Sequence, residues 1–169
     1  LKNEYSTIAT LKHFIAYGIP EGGHNGNASS VGQRELREVF LPPFKAAIDA
    51  GALSVMSAYN SIDGIPCTAS KFLFTDLLHG DWHFRGFSVS DLGSIEGIRG
   101  SHRVARTNKD AAILAMQAGM DVDLGGNAYV HLIEAVREGN VDEKLIDQAV
   151  ARVLALKFEM GLFENPYVD

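Results

Sequence analysis

Four times along this sequence a short apolar run gives way to a Gly-rich or polar loop and then to a helical pattern, an alternation that demands parallel strands. Parallel strands cannot be joined by a tight turn; they need a crossover of a dozen or more residues, usually a helix, so the repeat reads as βα units. The runs Thr7 to His13, Ala52 to Tyr59, Phe87 to Asp91 and Met120 to Leu124 predict strands. Helices are predicted at about Arg34 to Ala50, Ser70 to His79, Lys109 to Gln117, Tyr129 to Glu138 and Asp142 to Met160. Within the first of these, Pro42-Pro43 cannot continue the hydrogen-bond ladder, so a short helix to Phe40 and a second from Pro43 to Gly51 are expected. The last is the clearest. Leu145, Ile146, Ala149, Val150, Val153 and Leu154 repeat at helical spacing between an Asp142 cap and a Gly161 stop, and the stripe is expected to lie against a sheet.

Four parallel strands do not close a barrel, because the common closed form needs eight. The chain is therefore either an open α/β sheet or half of a barrel. Its 169 residues suffice for one core. Leu1 is not an initiator methionine, so the sequence reads as part of something longer, and Asn165-Pro166 reads as the start of an exit linker. The expected division is one partial domain over residues 1–165 and a linker from 166 to 169.

Net charge is −6 with no basic block, which argues against a nucleic-acid backbone as partner. The apolar runs are too short to cross a membrane. Cys67 is the single cysteine, so an internal disulfide and a cysteine-based structural zinc site are excluded. Asn27-Ala28-Ser29 is a glycosylation sequon of a kind that chance often produces. Gly22-Gly23-His24-Asn25-Gly26 lacks the ending of a phosphate loop and the GxGxxG order, and is expected to be a flexible loop over the site. His79 and His83 stand four apart at a helix end without the Glu of a zinc-protease pattern, so no metal is assigned. No cofactor is expected, and small uncharged ligands fit the composition best.

The residues that can carry chemistry lie at strand ends. Asp91 closes Gly86-Phe87-Ser88-Val89-Ser90-Asp91, a short apolar run whose C-terminal end is where barrel enzymes keep catalytic groups. As a helix N-cap it would be structural; as a rigidly held carboxylate near a sugar's anomeric carbon it would be a nucleophile. Lys12-His13 ends another apolar run and offers the donors and acceptor that vicinal hydroxyls need, although such a pair is also compatible with a surface cation and a core imidazole. Adjacent strand residues face opposite ways, so both reach one ligand only where the strand gives way to a turn. Met56 and Tyr59 close the second run. The plain reading is of core residues, as Met and Tyr at strand ends usually are; in a sugar site Met56 would supply an apolar floor and Tyr59 would bond the nucleophile.

Taken in order, Ala9-Thr10-Leu11-Lys12-His13-Phe14, Arg34-Glu35-Leu36, Phe40-Leu41-Pro42-Pro43-Phe44-Lys45, Val55-Met56-Ser57-Ala58-Tyr59-Asn60, Gly86-Phe87-Ser88-Val89-Ser90-Asp91, Ala118-Gly119-Met120-Asp121 and Met160-Gly161-Leu162-Phe163 resemble glycoside hydrolase family 3. The likeness is to bacterial β-glucosidases, often periplasmic, and it implies the C-terminal half of a (β/α)8 TIM-like barrel: four parallel βα units plus a closing helix. It implies Asp91 as nucleophile, Lys12 and His13 as the pair that grips sugar hydroxyls at subsite −1, and Met56 and Tyr59 as lining of the same pocket. A retaining, exo-acting mechanism on a carbohydrate substrate follows from the resemblance, with a periplasmic or secreted location.

Leu92 stands where many members have a Trp of the +1 subsite. Gly18 to Ser30 lacks the His-Asp pair of the N-acetylglucosaminidase branch, which favours the β-glucosidase-like branch. In that branch the acid/base comes from a following domain, and a further Asp and Arg come from a front half-barrel. Glu21, Glu96 and Glu134 have no motif support as the acid, and the segment alone is expected to be nearly inactive. β-Xylosidase or α-arabinofuranosidase activity stays open within the same chemistry. A non-catalytic carbohydrate-binding relic is the alternative from another class, disfavoured by intact Lys12, His13 and Asp91.

Overall fold

The computed structural model describes residues 7–167. The first six positions of the expected domain and the last two of the expected linker, Val168 and Asp169, lie outside the described residues. The described residues form an α/β fold with three parallel strands, β1 (Thr10–Phe14), β2 (Ser54–Ser57) and β5 (Phe87–Val89), in the order β1-β2-β5. A small antiparallel pair, β3 (Ser61–Ile62) and β4 (Ile65–Pro66), forms a separate hairpin after β2. Helices α1 (Gln33–Glu35) and α2 (Leu41–Asp49) join β1 to β2, and a π-helix, Phe72–Asp81, precedes β5. After β5 come α3 (Ser94–Gly100), α4 (Asn108–Ala118), α5 (Leu132–Arg137) and α6 (Glu143–Glu159).

Each observed strand is shorter than its apolar run, and the fourth run, Met120 to Leu124, forms no extended strand. Only Val122 bridges to Val89, in the parallel sense. The reason is side-chain competition for the ladder. Ser88 Oγ accepts the Asp121 amide at 2.9 Å, Ser90 Oγ accepts the Leu124 amide at 2.9 Å, and the Asp121 carboxylate takes the Ser88 N–H at 2.9 Å. Backbone bonds survive between, from Val122 N to Ser88 O and from Ser90 N to Val122 O. The segment therefore keeps the place of a fourth parallel strand without its regular hydrogen bonds.

The first helical stretch also departs from expectation. Helical backbone runs from Gln33 to Asp49 without interruption, because a π-helical turn, Leu36–Phe40, bridges α1 and α2. Pro42 and Pro43 have no N–H to return to the preceding turn, and the π-helical turn, in which the Leu41 amide reaches back to Leu36 O, carries the helix across them.

α4 starts at a capping box in which Thr107 Oγ1 accepts the Asp110 amide and the Asp110 carboxylate accepts the Thr107 amide. It stops at Gly119, whose φ of +95° suits glycine and where a Cβ would sit 2.9 Å from Thr75 Oγ1. The Tyr129 to Glu138 stretch begins as a 3₁₀ turn, Ala128–His131, before α5. Asp142 caps α6 by accepting the Lys144 amide.

The core gathers around Phe14, which is wholly buried and touches the rings of Phe44, Phe74 and Trp82 at centroid distances of 4.9, 5.8 and 6.1 Å. One β1 side chain thus ties α2 and the π-helix to the sheet, a burial that contributes about 1.5–3 kcal/mol. Gly86 leads into β5 because a Cβ there would meet the Leu53 carbonyl oxygen at 2.1 Å. α6 packs by Ala149 and Leu156, with Leu145 and Ile146 partly buried against the core, while Val150 and Leu154 of its stripe are exposed. The helix meets β5, as expected of a stripe lying against a sheet, and packs on α4 as well, with part of the stripe left in solvent.

Candidate active site

The ends of β1, β2 and β5 meet at one rim. Pairing of β1 with β2 runs Thr10 to Ser54 and Leu11 to Val55, then resumes at Phe14 with Ser57, so β1 carries one extra residue between Leu11 and Phe14. A bulge of this kind re-aims the side chains within it. It falls on Lys12 and His13. Lys12 is exposed, whereas the His13 side chain is 20% exposed and places Nε2 3.4 Å from Asp91 Oδ2.

Asp91 lies two residues past β5 and is nearly buried. Its carboxylate does not cap α3, whose N-cap position is held by Gly93 in the left-handed region. Instead Oδ1 accepts the Leu92 amide at 2.7 Å, and Oδ2, also buried, has no hydrogen-bond donor among the described residues. One oxygen is thus fixed and the other keeps its lone pairs, on the side of the imidazole.

Tyr59, expected as a partner of the Asp91 carboxylate, donates its O–H to the Leu92 carbonyl at 2.8 Å, one peptide further on. Its pKa is raised by burial, and further by the negative charge of Asp91. Tyr17 stacks between the two neighbours, 4.4 Å from the His13 ring and 6.4 Å from that of Tyr59. Met56 is half-buried and in register with Val89. Because Val55 points into the core, alternation puts Met56 on the opposite face of the sheet. The Gly-rich segment packs at the edge of this rim, where a Cβ added at Gly26 would lie 3.7 Å from the Tyr59 Cβ. It is tied rather than loose: Glu21 N–H donates to Ala28 O, Asn27 Nδ2 to Glu21 O, and Ser29 N–H to Ser61 O.

Burial lowers the His13 pKa, Asp91 pulls it back up, and Lys12 lowers it further. The imidazole is accordingly neutral at pH 7 and becomes charged only as the pH falls below its ordinary value. Substitution of Asp91 by Asn removes the opposing effect, so the His13 midpoint is expected to fall further in that variant. Histidine NMR titration checks this; an upward move would contradict the geometry.

Residue-by-residue reading of the sequence missed Ser57, Thr68, Ser94 and His102. Ser57, Thr68 and Ser94 are buried hydroxyls joined beneath Asp91, and His102 Nε2 sits 2.7 Å from the Tyr59 carbonyl. Their one signal is the serine recurring inside otherwise apolar runs, as at Ser54, Ser57, Ser88 and Ser90, all of them buried. Glu21, Glu96 and Glu134 are engaged elsewhere: with the Ser30 hydroxyl, the Asn127 amide and the Lys109 ammonium respectively.

A model of the glycosyl hydrolase family 3 N-terminal domain matches residues 1–156. The chain belongs to glycosyl hydrolase family 3. Among curated family 3 relatives it is 37% identical over 166 residues to a periplasmic β-glucosidase of Salmonella typhimurium, covering 98% of this chain and 22% of that one. It is 39% identical to a β-xylosidase of Formosa agariphila, covering 96% and 24%. Among solved structures, the β-glucosidase of Listeria innocua in complex with glucose superposes with a TM-score of 0.91 at 43% identity, covering 95% of this chain and 22% of that one. The family 3 chain described here thus spans less than a quarter of the length of these relatives. Its parallel strands and flanking helices match part of the TIM-barrel-like N-terminal domain of these relatives.

Proposed function

We propose that this segment supplies the nucleophile and part of subsite −1 of a retaining, exo-acting β-glucosidase that removes terminal non-reducing β-D-glucosyl residues through a covalent glycosyl-aspartate. The observation that carries the reading is the approach of His13 Nε2 to Asp91 Oδ2, since two strand ends far apart in sequence bring a carboxylate and a hydroxyl-binding imidazole within 3.4 Å. In this reading Asp91 Oδ2 attacks the anomeric carbon and breaks its bond to the aglycone oxygen, which leaves as an alcohol with a proton from the acid/base outside this segment. Lys12 and His13 hold ring hydroxyls, and Met56 and Tyr59 line the pocket. Water later breaks the glycosyl ester, and the sugar leaves with its configuration retained.

The acid/base and the other half of the sugar site are assigned to segments of the polypeptide beyond this one, residues 1–165 being a partial catalytic domain and 166 onward a linker. A carboxyl about 5 to 5.5 Å from the nucleophile is what retention requires. The segment by itself is then nearly inactive. The name of the Salmonella relative supports a periplasmic or secreted location. No helix among the described residues is long and apolar enough to cross a membrane.

β-Xylosidase activity is the second reading, favoured by the 39% identity to the Formosa enzyme. A panel of nitrophenyl glycosides with the complete protein separates the two. The β-glucoside is expected to give the largest kcat/KM, with a β-configured sugar as the first product by NMR. Dominant xyloside turnover would favour the second reading, and an inverted product would overturn the mechanism.

A further inference from the structure

Asp91 is held by a ring of hydrogen bonds that closes on its own backbone. Its amide donates to Ser57 Oγ at 3.3 Å. Ser57 Oγ lies 2.9 Å from Thr68 Oγ1, and the Thr68 hydroxyl donates to Ser94 Oγ at 3.0 Å. Ser94 then returns its backbone N–H to the Asp91 carbonyl at 2.9 Å. Each hydroxyl has one proton. Because Thr68 spends its own on Ser94, Ser57 must give its proton to Thr68, and its lone pair is then left for the Asp91 amide. The whole chain has one direction.

The three hydroxyls are almost inaccessible, at 0, 2 and 4% for Ser57, Thr68 and Ser94. They come from three separate elements: β2, the 3₁₀ turn Cys67–Ala69 and the start of α3. Hydroxyls buried in an otherwise apolar setting cost free energy unless satisfied, and here they satisfy one another around one residue. The next peptide is held as well, by the Tyr59 hydroxyl on the Leu92 carbonyl. The carboxylate therefore projects from a backbone fixed on both sides, with a single free oxygen.

We propose that Thr68 is a positioning residue: through Ser57 and Ser94 it sets the height and tilt of the Asp91 backbone, and so the line along which Oδ2 meets the anomeric carbon. The inference rests on the reading of Asp91 as nucleophile. Positioning errors of about 1 Å in covalent catalysis cost on the order of 100-fold in rate. Loss of the Thr68 hydroxyl is expected to act on formation of the glycosyl-enzyme and to leave ground-state sugar affinity alone, since the hydroxyl touches no ligand.

The test uses Thr68→Val and Thr68→Ser in the complete enzyme with a slow 2-fluoro-glucoside, followed by mass spectrometry of the labelled peptide. Thr68→Val is expected to slow labelling of Asp91 about 10- to 100-fold, with glucose inhibition unchanged. Thr68→Ser, which keeps the hydroxyl, is expected to label near the parent rate. Parental labelling by Thr68→Val, or equal impairment in both variants, overturns the positioning role while leaving Asp91 as nucleophile. Label on another residue in the parent enzyme overturns the reading on which it rests. Should Thr68→Val fail to fold, Ser57→Ala is read by the same criteria, with slowed labelling supporting the proposal and parental labelling refuting it.

Discussion

Asp91→Asn in the complete enzyme is expected to lower kcat by about 10⁴-fold or more, the order of loss seen when a covalent nucleophile is removed. In activation terms that is roughly 5.5 kcal/mol at 1.36 kcal/mol per decade. The amide is nearly isosteric with the carboxylate and can still accept the Leu92 N–H that Oδ1 accepts at 2.7 Å, so the local backbone should survive. What disappears is the anionic oxygen facing His13. Sugar affinity should change far less than rate, because Lys12 and His13 remain. Steady-state kinetics with an activated aryl glucoside, together with circular dichroism, checks both halves. A variant with kcat within tenfold of the parent would remove Asp91 from the chemistry.

Arg152→Met is expected to cost about 3–5 kcal/mol of stability, as breaking one side of a buried ion pair usually does. Arg152 reaches from α6 to make a two-pronged contact with Asp121, through Nε at 3.0 and 3.1 Å and Nη2 at 2.7 Å. The Asp121 side chain is fully buried and also takes the Ser88 amide of β5, so the pair joins the closing helix to the sheet. Methionine would leave a buried anion with one donor. Replacing both partners by apolar residues should recover much of the loss, because the penalty lies in the orphaned charge rather than in the missing attraction. Urea unfolding with an unchanged slope would measure it. A single variant as stable as the parent would show that water reaches the carboxylate.

What the sequence made legible follows the range of the forces involved. α6 and α4 are written locally: the Asp142 cap and the apolar spacing of α6, and the helical pattern of α4, place them within a residue or two, and the Thr107 and Asp110 box is a start signal of the same local kind. The fourth strand was overread because apolar character in Met120 to Leu124 says nothing about Ser88 and Ser90, more than thirty residues away, whose hydroxyls take its ladder bonds. The π-helical turn before Pro42-Pro43 was equally hidden, since no local pattern announces where a helix widens to accommodate two missing donors.

At the site, strand-end logic brings Asp91 and His13 together, and the bulge between Leu11 and Phe14 re-aims the segment that carries His13 and the exposed Lys12. The Tyr59 hydroxyl bonds the Leu92 carbonyl, one residue past the expected nucleophile, and still lies close enough to the Asp91 carboxylate for that group to raise its pKa. The Ser57, Thr68 and Ser94 ring could not be foreseen: its members come from three elements, and only the folded chain turns them toward one another.

The most direct measurement is to trap the complete enzyme with a 2-fluoro-glucosyl fluoride, digest it, and sequence the sugar-bearing peptide. A glycosyl ester on the residue that follows Phe87-Ser88-Val89-Ser90 is the predicted result. A label on any other carboxylate, or catalysis that consumes the reagent without ever forming an adduct, would contradict the account.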